Sequence, residues 1–74
     1  MVDQTPGSMG GVARRIRAAR LSGGWSQVDL ADAAGVSRPS IARVEAGGDV
    51  NTATLRAICE VLGLEFIVTE HVDD

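Results

Sequence analysis

Between Ser26 and Glu45 the chain is punctuated so closely that two short helices joined by a tight turn are the natural reading. Ser26 with Asp29 has the spacing of a capping box, in which each side chain can satisfy an orphan amide in the other's turn. Val28, Leu30, Ala31 and Ala34 then supply the side expected to be buried. Gly35 stops the helix, because a left-handed conformation is cheap for glycine and costly for other residues. Ser37 caps the next helix, and Pro39 falls in its first turn, where a missing amide hydrogen does little harm. Ile41 and Val44 are spaced to point back at the core. At about 100° per residue, Arg38, Pro39, Ala42 and Arg43 lie on the other side. This helix is therefore predicted to show solvent a face with two guanidinium groups.

The flanking segments complete a small all-α bundle of about four helices. Residues 1–10 contain Pro6, Gly7, Ser8 and Gly10 and are read as a flexible lead-in. A first helix is predicted over Gly11 to Leu21, with Val12, Ile16 and Ala19 on one side and Arg14, Arg15 and Arg17 facing outward. Ser22, Gly23 and Gly24 end it. After a loop containing Gly47 and Gly48, Asn51 is placed to cap a fourth helix over Thr52 to Leu62, with Leu55, Ile58, Cys59 and Leu62 as its apolar stripe and Gly63 as its stop. Residues 11–63 form the expected domain. In the 64–74 segment, Leu64, Phe66 and Val68 alternate with Glu65, Ile67 and Thr69, a period of two that argues for a short β-strand followed by an acidic tail.

A chain of 74 residues has room for one domain and a modest core, so help from a partner chain is expected. The net charge of −3 argues against nucleic acid until its distribution is considered. Arg14, Arg15, Arg17, Arg20, Arg38 and Arg43 all precede residue 50, whereas Glu60, Glu65, Glu70, Asp73 and Asp74 gather at the end. The acidity thus belongs to the C-terminal part. All the basic residues are arginine, which is read as the codon bias of a GC-rich genome. The single cysteine, Cys59, can form no internal disulfide and no metal cluster, and it suits a reducing cytoplasm as a small core residue. Residues 1–10 lack a basic start followed by an apolar run, so no signal peptide is expected, and no stretch approaches a membrane span. His71 has no metal-ligand company. No nucleophile–base arrangement or phosphate-cradling glycine loop is found, so neither an enzyme nor a cofactor or metal site is expected.

The residues from Gln27 to Ala46 resemble the helix-turn-helix of the lambda-repressor-like (Cro, XRE-type) family. Ala31 matches the small residue where two helices cross, Gly35 the turn glycine, and Leu30, Ala34, Val36, Ile41 and Val44 the apolar positions that fix the second helix. The resemblance runs from about Val12 to Leu62. It implies sequence-specific binding of double-stranded DNA by a cytoplasmic, nucleoid-associated transcription regulator, in the sense of a repressor. In such proteins the second helix of the motif enters the major groove with its N-terminal half at the base edges. Carried over, Ser37, Arg38, Pro39, Ser40 and Arg43 form the groove-facing set, and Gln27 matches a position that touches the DNA backbone, where a helix N-terminus also favours phosphate. Arg38 can donate two parallel hydrogen bonds to guanine; the plainer alternatives are a phosphate contact or a solvated arginine. Arg43 is open between base and phosphate. Pro39 stands where relatives often carry a polar reader and offers only apolar contact. Arg14 and Arg17 are candidate phosphate contacts or an ordinary charged helix face. The family often pairs an arginine near the end of the first helix with an acid ending the recognition helix, a role that falls to Arg20 and Glu45. Trp25 replaces an aliphatic residue and is read as core or a packing lid.

Many relatives continue into a fifth helix, where this chain has Leu64 to Val68. A lone strand is not stable without a partner. Pairing with a second copy about a two-fold axis, through Leu64, Phe66, Ile67 and Val68, would make a homodimer with two recognition helices on one face and half-sites ~34 Å apart. A short chain, a repressor-like domain, a C-terminal strand and an acidic tail are features that antitoxins of this family share, which implies a toxin protein as a further partner. The competing reading, favoured by the acidic charge balance and Pro39, is a protein-interaction module that keeps the helical fold without binding DNA.

Overall fold

The computed structural model describes residues 10–66, and over them the chain forms helices α1 (Gly10–Ser22), α2 (Gln27–Ala34), α3 (Arg38–Glu45) and α4 (Thr52–Leu62). Each of the last three begins on a polar cap. The Ser26 hydroxyl accepts from the Asp29 amide at 2.9 Å, Ser37 from the Ser40 amide at 3.2 Å, and the Asn51 side chain from the Thr54 amide at 2.8 Å. Each bond satisfies one of the donors that a helix N-terminus leaves without a partner. At Ser26 only this half of the expected capping box forms; the return bond from the Asp29 side chain is not made.

The turn between α2 and α3 depends on Gly35. It sits at φ 71°, ψ 29°, the left-handed region where a Cβ is strained. From there its amide reaches back to Asp32 at 3.2 Å, and the Val36 amide reaches Ala31 at 3.0 Å. These bonds take up carbonyls at the end of α2 and reverse the chain within one residue.

Ile16, Leu30, Ala31, Ile41, Val44, Ile58 and Cys59 make the core. Helix α2 packs against both α3 and α4, and α1 closes the other side against the same two helices. Trp25, Val36, Val50, Leu55, Leu64 and Phe66 are partly buried around this centre. Trp25 is therefore a lid over the core, lying close across Gly23 in the α1–α2 turn.

Two apolar positions are corrected. Val28 was expected inside α2 but is 51% exposed, and Val12 was expected on the buried side of α1 but is 38% exposed. The reason is where each stripe runs. The inward line of α2 is Gln27, Leu30, Ala31 and Ala34, at helical spacing, and Val28 lies about 100° off it. The inward line of α1 is Ala13, Ile16 and Arg20, with Val12 one position aside. In α2 the polar Gln27 takes the core-facing place that apolarity alone assigns to Val28; in α1 Ala13 takes that of Val12, and Arg20 continues the same line.

Leu64 to Phe66 carries no strand in the single chain, while Ile67 and Val68 lie outside the described residues. The Leu64 amide caps α4 by donating to the Cys59 carbonyl at 2.9 Å, and Phe66 lies under the Arg56 guanidinium, 5.9 Å from ring centroid to charge. No helix among the described residues is long and apolar enough to cross a membrane.

Val28 and the core leucine of α2 give contrasting expectations. Leu30→Ala, at a fully buried position, is expected to lower unfolding free energy by about 2–5 kcal/mol. Val28→Ala should change it by less than about 0.5 kcal/mol. Urea denaturation followed by circular dichroism distinguishes the two, and equal losses would contradict the orientation of α2.

Candidate nucleic-acid interface

Helix α3 is held by its back and open at its front. Ile41 and Val44 are completely buried against the other helices. Arg38, Pro39 and Arg43 are exposed on the outer side, with Ser37 exposed and Ser40 half-buried at the leading end. The hydroxyls of Ser37 and Ser40 are 3.0 Å apart and hydrogen-bonded to each other while Ser37 also caps the helix. This ties Ser37 and Ser40 together at the N-terminal end. Pro39, in the first turn, costs the helix no hydrogen bond.

Helix α3 is also fixed at its C-terminal end, by charge. Glu45 is nearly enclosed, its side chain only 6% exposed, and it meets Arg20 from α1 in a bidentate pair. Arg20 Nε donates to Oε2 and Nη2 donates to Oε1 at 2.9 Å, while Nη1 donates to the Trp25 carbonyl at 2.9 Å. Gln27, the first residue of α2, adds a third donor, Nε2 to Glu45 Oε1 at 3.2 Å. Burial alone would raise the Glu45 carboxyl pKa. The hydrogen bonds from Arg20 and Gln27, and the charges of Arg20 and Arg17, more than offset it and hold the pKa below the usual carboxylate range. The hydrogen bond to Glu45 pushes the Arg20 guanidinium the other way, against its burial. No buried side-chain polar atom among the described residues is left without a partner.

The sequence-predicted residues are distributed as follows. Ser37, Arg38, Pro39, Ser40 and Arg43 share the α3 surface, and Arg14 and Arg17 are exposed on α1. Arg20 and Glu45 stand in mutual contact. Gln27 points inward to that pair, so its amide nitrogen is engaged within the protein. Its place on the line of Leu30, Ala31 and Ala34 was the available signal. Arg43 is exposed but not unattached: its Nε donates to the Asp49 carbonyl at 2.7 Å. Cys59 is buried, and desolvation pushes its thiol pKa up, away from the reactive thiolate. Leu64 and Phe66 pack partly on the chain's own core and, with Val12, Arg15, Ile16, Cys59 and Glu65, line a shallow groove.

Chemically, the outer face of α3 offers donors in forked geometry, a hydroxyl pair and an apolar ring, on a short rigid element. That combination suits the edges of base pairs and the phosphates beside them. It offers no nucleophile activated by a base.

Comparison with known proteins agrees with this geometry. A helix-turn-helix family model matches residues 16–67. A variant of the restriction-modification controller protein C.Esp1396I superposes with a TM-score of 0.69 at 26% identity, over 77% of this chain and 75% of that one. A chain from the structure of a HipA-HipB-O2-O3 complex gives a TM-score of 0.73 at 25% identity, over 92% of this chain and 97% of that one. A structure described as MDT Protein gives the same values. No curated protein sequence matches the chain.

The charge cluster makes stability depend on pH in a definite direction. The folded-state pKa of Glu45 lies below its unfolded value, so its contribution is complete above the ordinary carboxylate range and disappears as pH falls through the lowered pKa. Glu45→Ala should cost about 3–5 kcal/mol, because Arg20 is left buried without its counter-charge. Glu45→Gln should lose less stability than wild type on acidification from neutral pH to about pH 3. Urea midpoints across that range check this, and parallel curves would contradict it.

Proposed function

This chain belongs to the helix-turn-helix family, in its Cro/XRE-type form, whose members are DNA-binding transcription regulators, and on that premise we propose that it binds a double-stranded operator in a sequence-specific way and represses transcription as a homodimer. The observation that carries this reading is the outward presentation of Arg38 on a helix whose opposite side is wholly buried. In the docking common to such motifs the N-terminal half of α3 meets the base edges. Arg38 then reads guanine through a bidentate pair, Ser37 and Ser40 supply adaptable hydroxyl contacts, and Pro39 touches an apolar base surface such as a thymine methyl. Arg14 and Arg17 on α1 hold phosphate and set the register.

The homodimer is supported by the incompletely covered segment after α4. Leu64 and Phe66 are only half-covered by their own core, and with Ile67 and Val68 they are proposed to pair with the same segment of a second copy. A two-fold arrangement presents two copies of α3 to successive major grooves ~34 Å apart. Residues 1–10 then form a lead-in, 11–63 the DNA-binding domain, and 64–74 the dimerisation segment and acidic tail. The narrower role of antitoxin is supported by the likeness to a chain from a HipA-HipB-O2-O3 complex, which covers nearly the whole length of both chains. On this reading a toxin protein is the second partner.

The direct test is a gel-shift assay on the DNA upstream of the chain's own coding sequence, repeated over a series of salt concentrations. Specific binding that weakens steeply with salt is the expected result; a chain that shifts no DNA even at low salt is instead a protein-interaction module of the same fold. Among variants, Arg38→Ala should cost about 1–3 kcal/mol and relax preference at one base pair, whereas Arg14→Ala should weaken all sequences alike and take about one unit from the salt slope. Unchanged discrimination at every base position in the Arg38→Ala protein would remove Arg38 from the readers.

A further inference from the structure

The turn between α3 and α4 holds an arrangement that the repressor reading leaves unused. The Arg43 side chain starts on the outer side of α3 and runs back over the turn, where its Nε donates to the Asp49 carbonyl at 2.7 Å. The Arg43 carbonyl in turn accepts from the Gly48 amide at 2.8 Å. A Cβ at Gly48 would lie 2.9 Å from Arg43 Cγ and 3.2 Å from the Arg43 carbonyl oxygen. The first distance is shorter than real Cβ contacts allow, so any side chain at position 48 displaces the arginine stem near its root. Gly47 has a positive φ of 90°, which accounts for its being glycine; Gly48 has none. What Gly48 accommodates is the stem of Arg43.

We propose that Gly48 is a seat for Arg43 and that the seated guanidinium is a preorganised clamp for a DNA phosphate. Gly48 then sets affinity for DNA without touching it. The inference deepens the DNA-binding reading above and rests on it. Three features support the clamp. Nε is occupied by a backbone carbonyl, which leaves the two terminal amino groups to donate. Arg43 stands in the C-terminal half of α3, whereas base edges meet the N-terminal half, so its donors fall to the sugar–phosphate backbone. A guanidinium already held in the free chain loses less side-chain freedom on binding, and its planar fork matches two phosphate oxygens.

The seat is tested in the free protein and the clamp with DNA. Side-chain Nε–H exchange measured by NMR should be slower for Arg43 than for Arg38, which is exposed and has no acceptor among the described residues. Equal rates overturn the seat. With operator DNA, Arg43→Ala should lower affinity about tenfold, equally for all operator variants, and reduce the salt slope by about one unit. Gly48→Ala should lose part of that affinity in the wild-type background and little more in the Arg43→Ala background. A glycine needed only for folding would weaken binding equally in both backgrounds, and that result overturns the proposal. So does a changed preference at a single base pair in Arg43→Ala. Should Gly48→Ala fail to fold, the Nε exchange and the Arg43→Ala salt slope decide without it. A wild-type chain that binds no DNA refutes the parent reading and the clamp together, while the exchange rates in the free protein still report on the seat.

Discussion

The bidentate contact between Arg20 and Glu45 joins parts of the chain that lie far apart in sequence, and the position of α3 depends on it. Arg20 ends the inward line of α1, Gln27 begins that of α2, and Glu45 closes α3. Arg20 also holds the Trp25 carbonyl, so the α1–α2 turn is tied to the same point. A buried ion pair is seldom more stabilising than well-packed apolar residues of the same volume, because both charges must leave water. What it adds here is direction. Apolar contacts at Ile41 and Val44 hold α3 against the core but tolerate small rotations. Two parallel hydrogen bonds and a third from Gln27 tolerate far less. The outer side of α3 therefore has a fixed attitude, and fixed donors are what a base edge requires.

The charge balance follows a related logic. The chain is acidic as a whole, yet the acid that ends the recognition helix, Glu45, is consumed by Arg20 and turned inward. The surface of α3 keeps Arg38 and Arg43. An acidic net charge gives the chain little long-range attraction to DNA, so its salt-sensitive phosphate contacts have to be local ones at exposed arginines. Its binding must then come from a few well-placed contacts, doubled by a second copy in the dimer proposed above.

Much of the fold was legible because helix ends are written in local chemistry. Ser26, Ser37 and Asn51 each cap through a side-chain oxygen, and Gly35 and Gly63 each adopt the left-handed region that stops a helix. These need no tertiary information. The buried sides of α1 and α2 were less legible, since Arg20 and Gln27 lie on the inward lines, and a reading by hydropathy prefers Val12 to the smaller Ala13 and Val28 to the polar Gln27. The double use of Arg43 was hidden for a different reason: its partner is a backbone carbonyl, and carbonyls leave no mark in sequence. Gly47 and Gly48 were visible only as a turn. The period-two pattern from Leu64 onward reads as a strand that needs a partner strand, and Leu64 to Phe66 in the single chain pack on their own core without one.

The central claim is that the exposed side of α3, opening at Ser37, is the surface that meets DNA. Backbone amide shifts recorded while the protein is titrated with its upstream operator address it most directly. The account predicts that the largest changes fall on Ser37 to Arg43, with smaller ones on Arg14 and Arg17, and that the amides of Ile58 and Cys59 stay still. Changes concentrated on α4 and the Leu64 to Phe66 segment, with α3 unmoved, would contradict it.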